Sequence, residues 1–111
     1  MDDSRSEERF AKVGRLADLD GAPFLAATLL GKRVAAFRTG GALVALEMSC
    51  KHQGADLTAG AFDGTIVTCP RHGWRYDLAT GACLSPPNGP PLRRHAVRVE
   101  GEHILVSLRP A

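Results

Sequence analysis

The stretch CKHQGADLTAGAFDGTIVTCPRHGWRYDLATG runs from Cys50 to Gly81 and holds two of the chain's three cysteines and two of its four histidines. Cys50-Lys51-His52 is followed, after sixteen residues, by Cys69-Pro70-Arg71-His72. Each half offers one thiolate and one imidazole from a loop short enough to project both side chains from a single tip. Two such tips, brought together by a hairpin, can enclose a metal centre. Four ligands of these types suit tetrahedral zinc, or a two-iron cluster with two thiolates on one iron and two imidazoles on the other. Common zinc fingers place their cysteines together and then their histidines. Here the order alternates Cys, His, Cys, His, so a zinc-binding interaction module is the remote alternative.

Around these loops the chain changes character. From Ser49 to about Pro91 it is rich in Gly, Pro, Cys and His, with only Thr65–Thr68 and Arg75–Asp77 reading as extended and Asp63-Gly64 and Thr80-Gly81 as turns. This region reads as an excursion shaped around something other than a hydrophobic core. Before it, Phe10–Arg15, Phe24–Leu29, Arg33–Arg38 and Leu43–Met48 read as short strands, with turns at Leu30-Gly31 and Thr39-Gly40-Gly41. After it, Val97 and Val99 alternate with Arg98 and Glu100. Gly101-Glu102 then turns the chain, and Ile104, Val106 and Leu108 share one face. That pattern is a hairpin with one side buried. Short strands at this spacing make an all-β antiparallel sandwich or barrel. The expected organisation is a tail over residues 1–9 and one domain over 10–111, with an inserted subdomain at about 49–91.

The bulk properties restrict the function classes. With 111 residues the chain suits one domain, and 44% hydrophobic with 23% charged residues is ordinary globular composition. A net charge of +2 gives no reason to expect nucleic acid. The longest apolar stretch, Ala22 to Leu30, is interrupted by Pro23 and falls short of the ~20 residues that span a bilayer. Met1 to Arg9 lacks the apolar centre of an export signal, so a cytoplasmic protein without membrane contact is expected. An odd cysteine count in that setting points to metal or thiol chemistry rather than a disulfide framework.

The motif has company: Gly54 follows the first loop and Gly73-Trp74-Arg75-Tyr76-Asp77 the second. Thr80-Gly81 and the run Pro86-Pro87-Asn88-Gly89-Pro90-Pro91 come next. In these residues the chain resembles the Rieske ferredoxin family, from about Phe10 to Leu108. The resemblance implies a Rieske-like antiparallel β sandwich with an inserted cluster-binding subdomain at one end, and one 2Fe-2S cluster. Cys50 and Cys69 would bind the buried iron. His52 and His72 would bind the outer iron, their far nitrogens exposed at the tip. Gly54, Gly73, Trp74 and Tyr76 would surround the ligands. Two neutral imidazoles in place of two thiolates make the cluster more positive, which sets such centres at roughly −150 to +300 mV against about −400 mV for plant-type clusters.

The chain departs from the high-potential respiratory members of the family. Ala55 and Arg71 occupy the positions where those proteins carry a disulfide. Trp74 stands where they carry a hydroxyl that donates to the cluster. Both losses lower the expected potential within the window. Tyr76 acts in the opposite direction, because its hydroxyl can reach a cysteine sulfur.

The remaining chemistry-bearing residues read more plainly. Cys83 reads as a small buried residue after a turn, His95 as an edge or core histidine, and His103 as solvated, on the parity of Ser107 and Arg109. Trp74 reads mainly as packing, and the proline-rich run as a cover for the cluster. Lys51, Arg71 and Arg75 ring the tip, either as a solvated rim or as a surface that steers an acidic redox partner. The leading functional expectation is a soluble one-electron carrier, not itself an enzyme, that takes an electron from a reductase and passes it to an oxygenase or other oxidoreductase. The alternative is a small Rieske subunit of a larger oxidoreductase such as nitrite reductase. A catalytic oxygenase needs a mononuclear iron held by two histidines and a carboxylate, and only His95 and His103 remain for it.

Overall fold

The computed structural model describes residues 9–50 and 54–110. The ten strands are β1 (Phe10–Arg15), β2 (Leu25–Leu29), β3 (Lys32–Thr39), β4 (Ala42–Glu47), β5 (Ala61–Asp63), β6 (Ile66–Thr68), β7 (Arg75–Asp77), β8 (Cys83–Ser85), β9 (Arg94–Glu100) and β10 (His103–Pro110). Short 3-10 turns occupy Leu16–Asp20 and Leu57–Ala59. All pairings between these strands are antiparallel. One sheet has the order β1-β10-β9-β4-β3-β2 and the other β5-β6-β7-β8. The larger sheet curls so that its edge strands β1 and β2 come against each other. Of the expected tail at residues 1–9, only Arg9 is described; its carbonyl accepts the Leu108 N–H at 2.9 Å.

The β3–β4 hairpin explains how one small chain supports two cores. Its residues pair from Val34↔Glu47 to Thr39↔Ala42, and alternate side chains point to opposite faces. Val34, Ala36 and Ala45 face the interior of the curled sheet with Ile104 and Val106. Ala35, Phe37, Val44 and Leu46 face the other way and pack with Leu57, Val67, Tyr76, Leu78 and Leu92. An apolar run such as VAAF is what a strand buried on both faces requires.

Three expectations need correction. The excursion does have a hydrophobic core, shared with the outer face of β3 and β4, and it forms a four-stranded sheet rather than two extended pieces. The C-terminal hairpin is not buried on one side only, since Leu105 and Ser107 are buried along with Ile104 and Val106. Leu105 pairs directly with Lys12 on β1 and Arg98 on β9, and the Arg98 guanidinium lies 4.2 Å over the Phe10 ring. Ser107 therefore does not mark a solvent face, and His103 is half-buried. Val99, in contrast, is 42% exposed, because β4 pairs with β9 only at His95 and Arg94.

Candidate metal centre

β4 runs into the first loop through Met48 and Ser49, and β6 and β7 flank the second. The two loops close with the same hydrogen bonds. Cys50 N–H donates to the Ala55 carbonyl at 2.8 Å and Gly54 N–H to the Cys50 carbonyl at 2.7 Å. Cys69 N–H donates to the Trp74 carbonyl at 2.7 Å and Gly73 N–H to the Cys69 carbonyl at 3.1 Å. In both loops the glycine comes four residues after the cysteine, and its φ is positive, +72° at Gly54 and +75° at Gly73. A side chain there would be strained, so glycine is what lets each loop turn back on its cysteine.

The two loops bring Cys50 and Cys69 together. Both are 2% exposed and lie in one buried cluster, and the Cys50 side chain is close enough to help lower the Cys69 thiol. Burial raises the Cys69 thiol, but the backbone N–H groups of Arg71 and His72, the Cys50 contact and the Arg71 guanidinium outweigh it. The net shift is below the ordinary thiol value. The thiolate, the form that ligates metal, is thereby favoured. His72 is exposed beside this buried pair. His52 and Lys51 lie outside the described residues, so three of the four expected ligands can be placed. Among the described residues alone no group of three metal-binding side chains converges.

The surroundings follow the chemistry of sulfur. Tyr76 is fully buried, with its hydroxyl 3.6 Å from Cys50 Sγ, the contact expected from its place after the second loop. Trp74 is half-buried and packs on the core shared with β3 and β4. Cys83 is 8% exposed and its thiol donates to the Pro86 carbonyl at 3.2 Å. Burial raises Cys83, and the nearby Cys50 adds to the rise, so it remains a thiol. The proline-rich run lies against this side of the site. A Cβ on Gly89 would fall 2.5 Å from Cys83 Sγ and 3.1 Å from Trp74 Cζ3. All three cysteines are free and buried.

His95 is a core residue. Its Nδ1 lies 2.7 Å from the Ser107 carbonyl, which can only accept, so Nδ1 carries a proton. Its Nε2 lies 2.9 Å from Glu47 Oε2. Glu47 and Ser107 are parts of this buried network that residue-level reading of the sequence missed. The available signal was a glutamate at the end of an apolar strand, four positions after Leu43 on the same face.

The donor set fits a two-iron cluster: two adjacent buried sulfurs in matched loops, with an imidazole at the surface next to them. The family model of the Rieske [2Fe-2S] domain matches residues 9–104. The ferredoxin component of the naphthalene 1,2-dioxygenase system of Pseudomonas aeruginosa is 27% identical over 101 residues, covering 91% of this chain and 97% of that one. Ferredoxin CarAc of Metapseudomonas resinovorans is 39% identical over 74 residues, 67% of this chain and 69% of that protein. Among solved structures, a chain in the complex of reduced oxygenase and oxidized ferredoxin of carbazole 1,9a-dioxygenase superposes with a TM-score of 0.81. It is 28% identical, with 92% of this chain and 95% of that one covered.

Proposed function

The chain belongs to the Rieske [2Fe-2S] domain family, and on that premise we propose that it is a one-electron carrier serving an oxygenase. Its relatives named above are ferredoxin components of dioxygenase systems, and this favours a free carrier over a nitrite-reductase-type subunit. The zinc-module alternative has no support from them. The carrier is not itself an enzyme: it receives one electron from a reductase and delivers it to the oxygenase. Among the described residues no helix is long and apolar enough to cross a membrane. We place the protein in the cytoplasm.

The ligand assignment is that Cys50 and Cys69 hold the inner iron and His52 and His72 the outer one. The observation that carries it is the pair of hydrogen-bond-matched loops that set two buried cysteine sulfurs side by side. The cluster, when bound, stores and releases a single electron without making or breaking a covalent bond. The chain's residues supply the rest. Amides of Arg71 and His72 direct N–H groups at the Cys69 sulfur and stabilise its negative charge. The Tyr76 hydroxyl does the same for Cys50. Leu57, Val67 and Leu78 exclude water beneath the sulfurs, and the exposed His72 gives a partner a short path to the centre.

Anaerobic reductive titration tests the assignment. The purified protein is expected to take up one electron per chain, and single replacement of Cys50, His52, Cys69 or His72 by Ala is expected to abolish cluster loading. A fully loaded His72→Ala protein with an unaltered spectrum would overturn the ligand set. A protein that takes up no electron while holding zinc would overturn the carrier.

A further inference from the structure

The outer face of the second loop carries charge that nothing in the described fold neutralises. Arg71 and Arg75 are both exposed. The exposed arginines elsewhere that do find acids are Arg15 with Glu102, Arg33 with Asp56, Arg38 with Asp20 and Arg98 with Glu100. Among the described residues Arg71 and Arg75 have no such ion pair. The small sheet is polarised along its length. Arg75 begins β7 beside Thr68 at the loop end, while Asp77 ends it beside Ile66, and Asp63 pairs with Ile66 at the same far end. The two carboxylates of β5 to β7 therefore sit away from the loop and the two guanidiniums sit at it.

An exposed apolar side chain adjoins this charge. Tyr76 pairs with Cys83, and both point inward. The register shifts beside this pair, so Arg75 lies opposite Ser85 and Leu84 is the extra residue of a β-bulge; Arg75, Leu84 and Ser85 are all exposed there. Leu84 is 42% exposed, one of few large apolar side chains so placed. An apolar centre with a charged rim is the pattern of a protein-docking patch. Arg71 lies between Cys69 and His72 in the second loop, so the patch adjoins the proposed cluster site.

We propose that the outer face formed by Arg71, Arg75 and Leu84 is the docking surface for a redox partner that presents a carboxylate-rich face around an apolar contact. The proposal rests on the carrier reading and adds which side of the tip is covered and what chemistry covers it. Charge attraction brings the partner to this side, and Leu84 fixes it once water has been expelled.

Two inorganic oxidants of opposite charge, ferricyanide and hexaammineruthenium(III), test the charge at the electron's exit without the natural partner. Each takes one electron from the reduced protein, becoming ferrocyanide or hexaammineruthenium(II), with no proton or bond transferred. At low ionic strength the Arg71→Glu/Arg75→Glu variant is expected to slow ferricyanide about tenfold and to speed hexaammineruthenium(III). Both effects should fade in 0.5 M salt, where the Debye length is only a few ångström. Lys12→Glu, an exposed site on β1, is expected to move neither rate by more than about twofold. A second readout needs no electron transfer: the redox-inert paramagnetic anion hexacyanochromate(III) should broaden the Leu84 methyl resonances, and Arg75→Glu should remove the broadening. A loaded protein that shows no charge discrimination, or anion binding centred on Lys12, would overturn this surface and leave the carrier reading intact. A protein that loads no iron under anaerobic reconstitution would overturn both.

Discussion

The Tyr76 hydroxyl, 3.6 Å from Cys50 Sγ in a fully buried setting, faces a sulfur that must be a thiolate when it ligates iron. The phenol then donates, and the bond is stronger in the reduced, more negative state. One hydrogen bond of about 0.5–1.5 kcal/mol corresponds to roughly 20–65 mV for a single electron. Tyr76→Phe removes the difference in that bond between the two states and is expected to lower the midpoint by no more than that amount in a redox titration; an unchanged midpoint would remove the role. Gly73 makes a different contribution. Nothing lies within 4 Å of a Cβ built there, so Gly73→Ala meets only the strain of φ +75°. Urea unfolding is expected to show a loss of about 1–2 kcal/mol. The reach of Tyr76 was legible from its place in the motif just after the second loop, although that loop turns back on Cys69 and the sulfur it meets is that of Cys50. The matching of the two loops was not, since it lies in backbone hydrogen bonds that carry no side-chain signature.

The hairpin of β3 and β4 is the element on which both cores depend, and its two faces can be perturbed separately. Leu46 is fully buried on the face toward the metal centre, and Ile104 is fully buried inside the curled sheet. Replacing either by Ala is expected to cost about 2–5 kcal/mol. Only Leu46→Ala should also weaken iron retention, as measured by loss of visible absorbance during chelator challenge. The Glu47–His95 contact ties the end of this hairpin to β9. Glu47→Leu alone leaves a buried imidazole nitrogen without its partner and is expected to cost about 1–3 kcal/mol, with Glu47→Leu/His95→Leu recovering part of it. A double-mutant cycle checks the coupling. Strands β1 to β4 were legible from apolar runs and turn residues. β5 and β8 were not, although β6 and β7 are as short: β5 lies between Gly60 and Gly64 with Phe62 as its one large apolar residue, and β8 precedes a proline-rich run that reads as loop. The one-sided pattern of the last hairpin misled for another reason: Leu105 is buried between its cross-strand partners Lys12 and Arg98, and a pairing between distant strands leaves no mark on the alternation within one strand.

At the scale of the molecule, the chain spans 97% of the length of the Pseudomonas aeruginosa naphthalene dioxygenase ferredoxin component. The family and the cofactor were legible because four ligand types at fixed offsets constrain chemistry more tightly than composition does. The partner's side was only half legible. Arg71 and Arg75 were visible as charges, but their separation from Asp63 and Asp77 depends on the register of β5 to β7. The central claim is that two cysteines and two histidines hold one two-iron cluster. The most direct test is the low-temperature electron paramagnetic resonance spectrum of the dithionite-reduced protein, recorded on a sample assayed for iron and sulfide. The account predicts two irons and two sulfides per chain and a signal whose average g lies below that of all-cysteine clusters, with nitrogen couplings from two imidazoles. A reduced signal with cysteine ligation only, or a colourless protein holding one zinc, would contradict it.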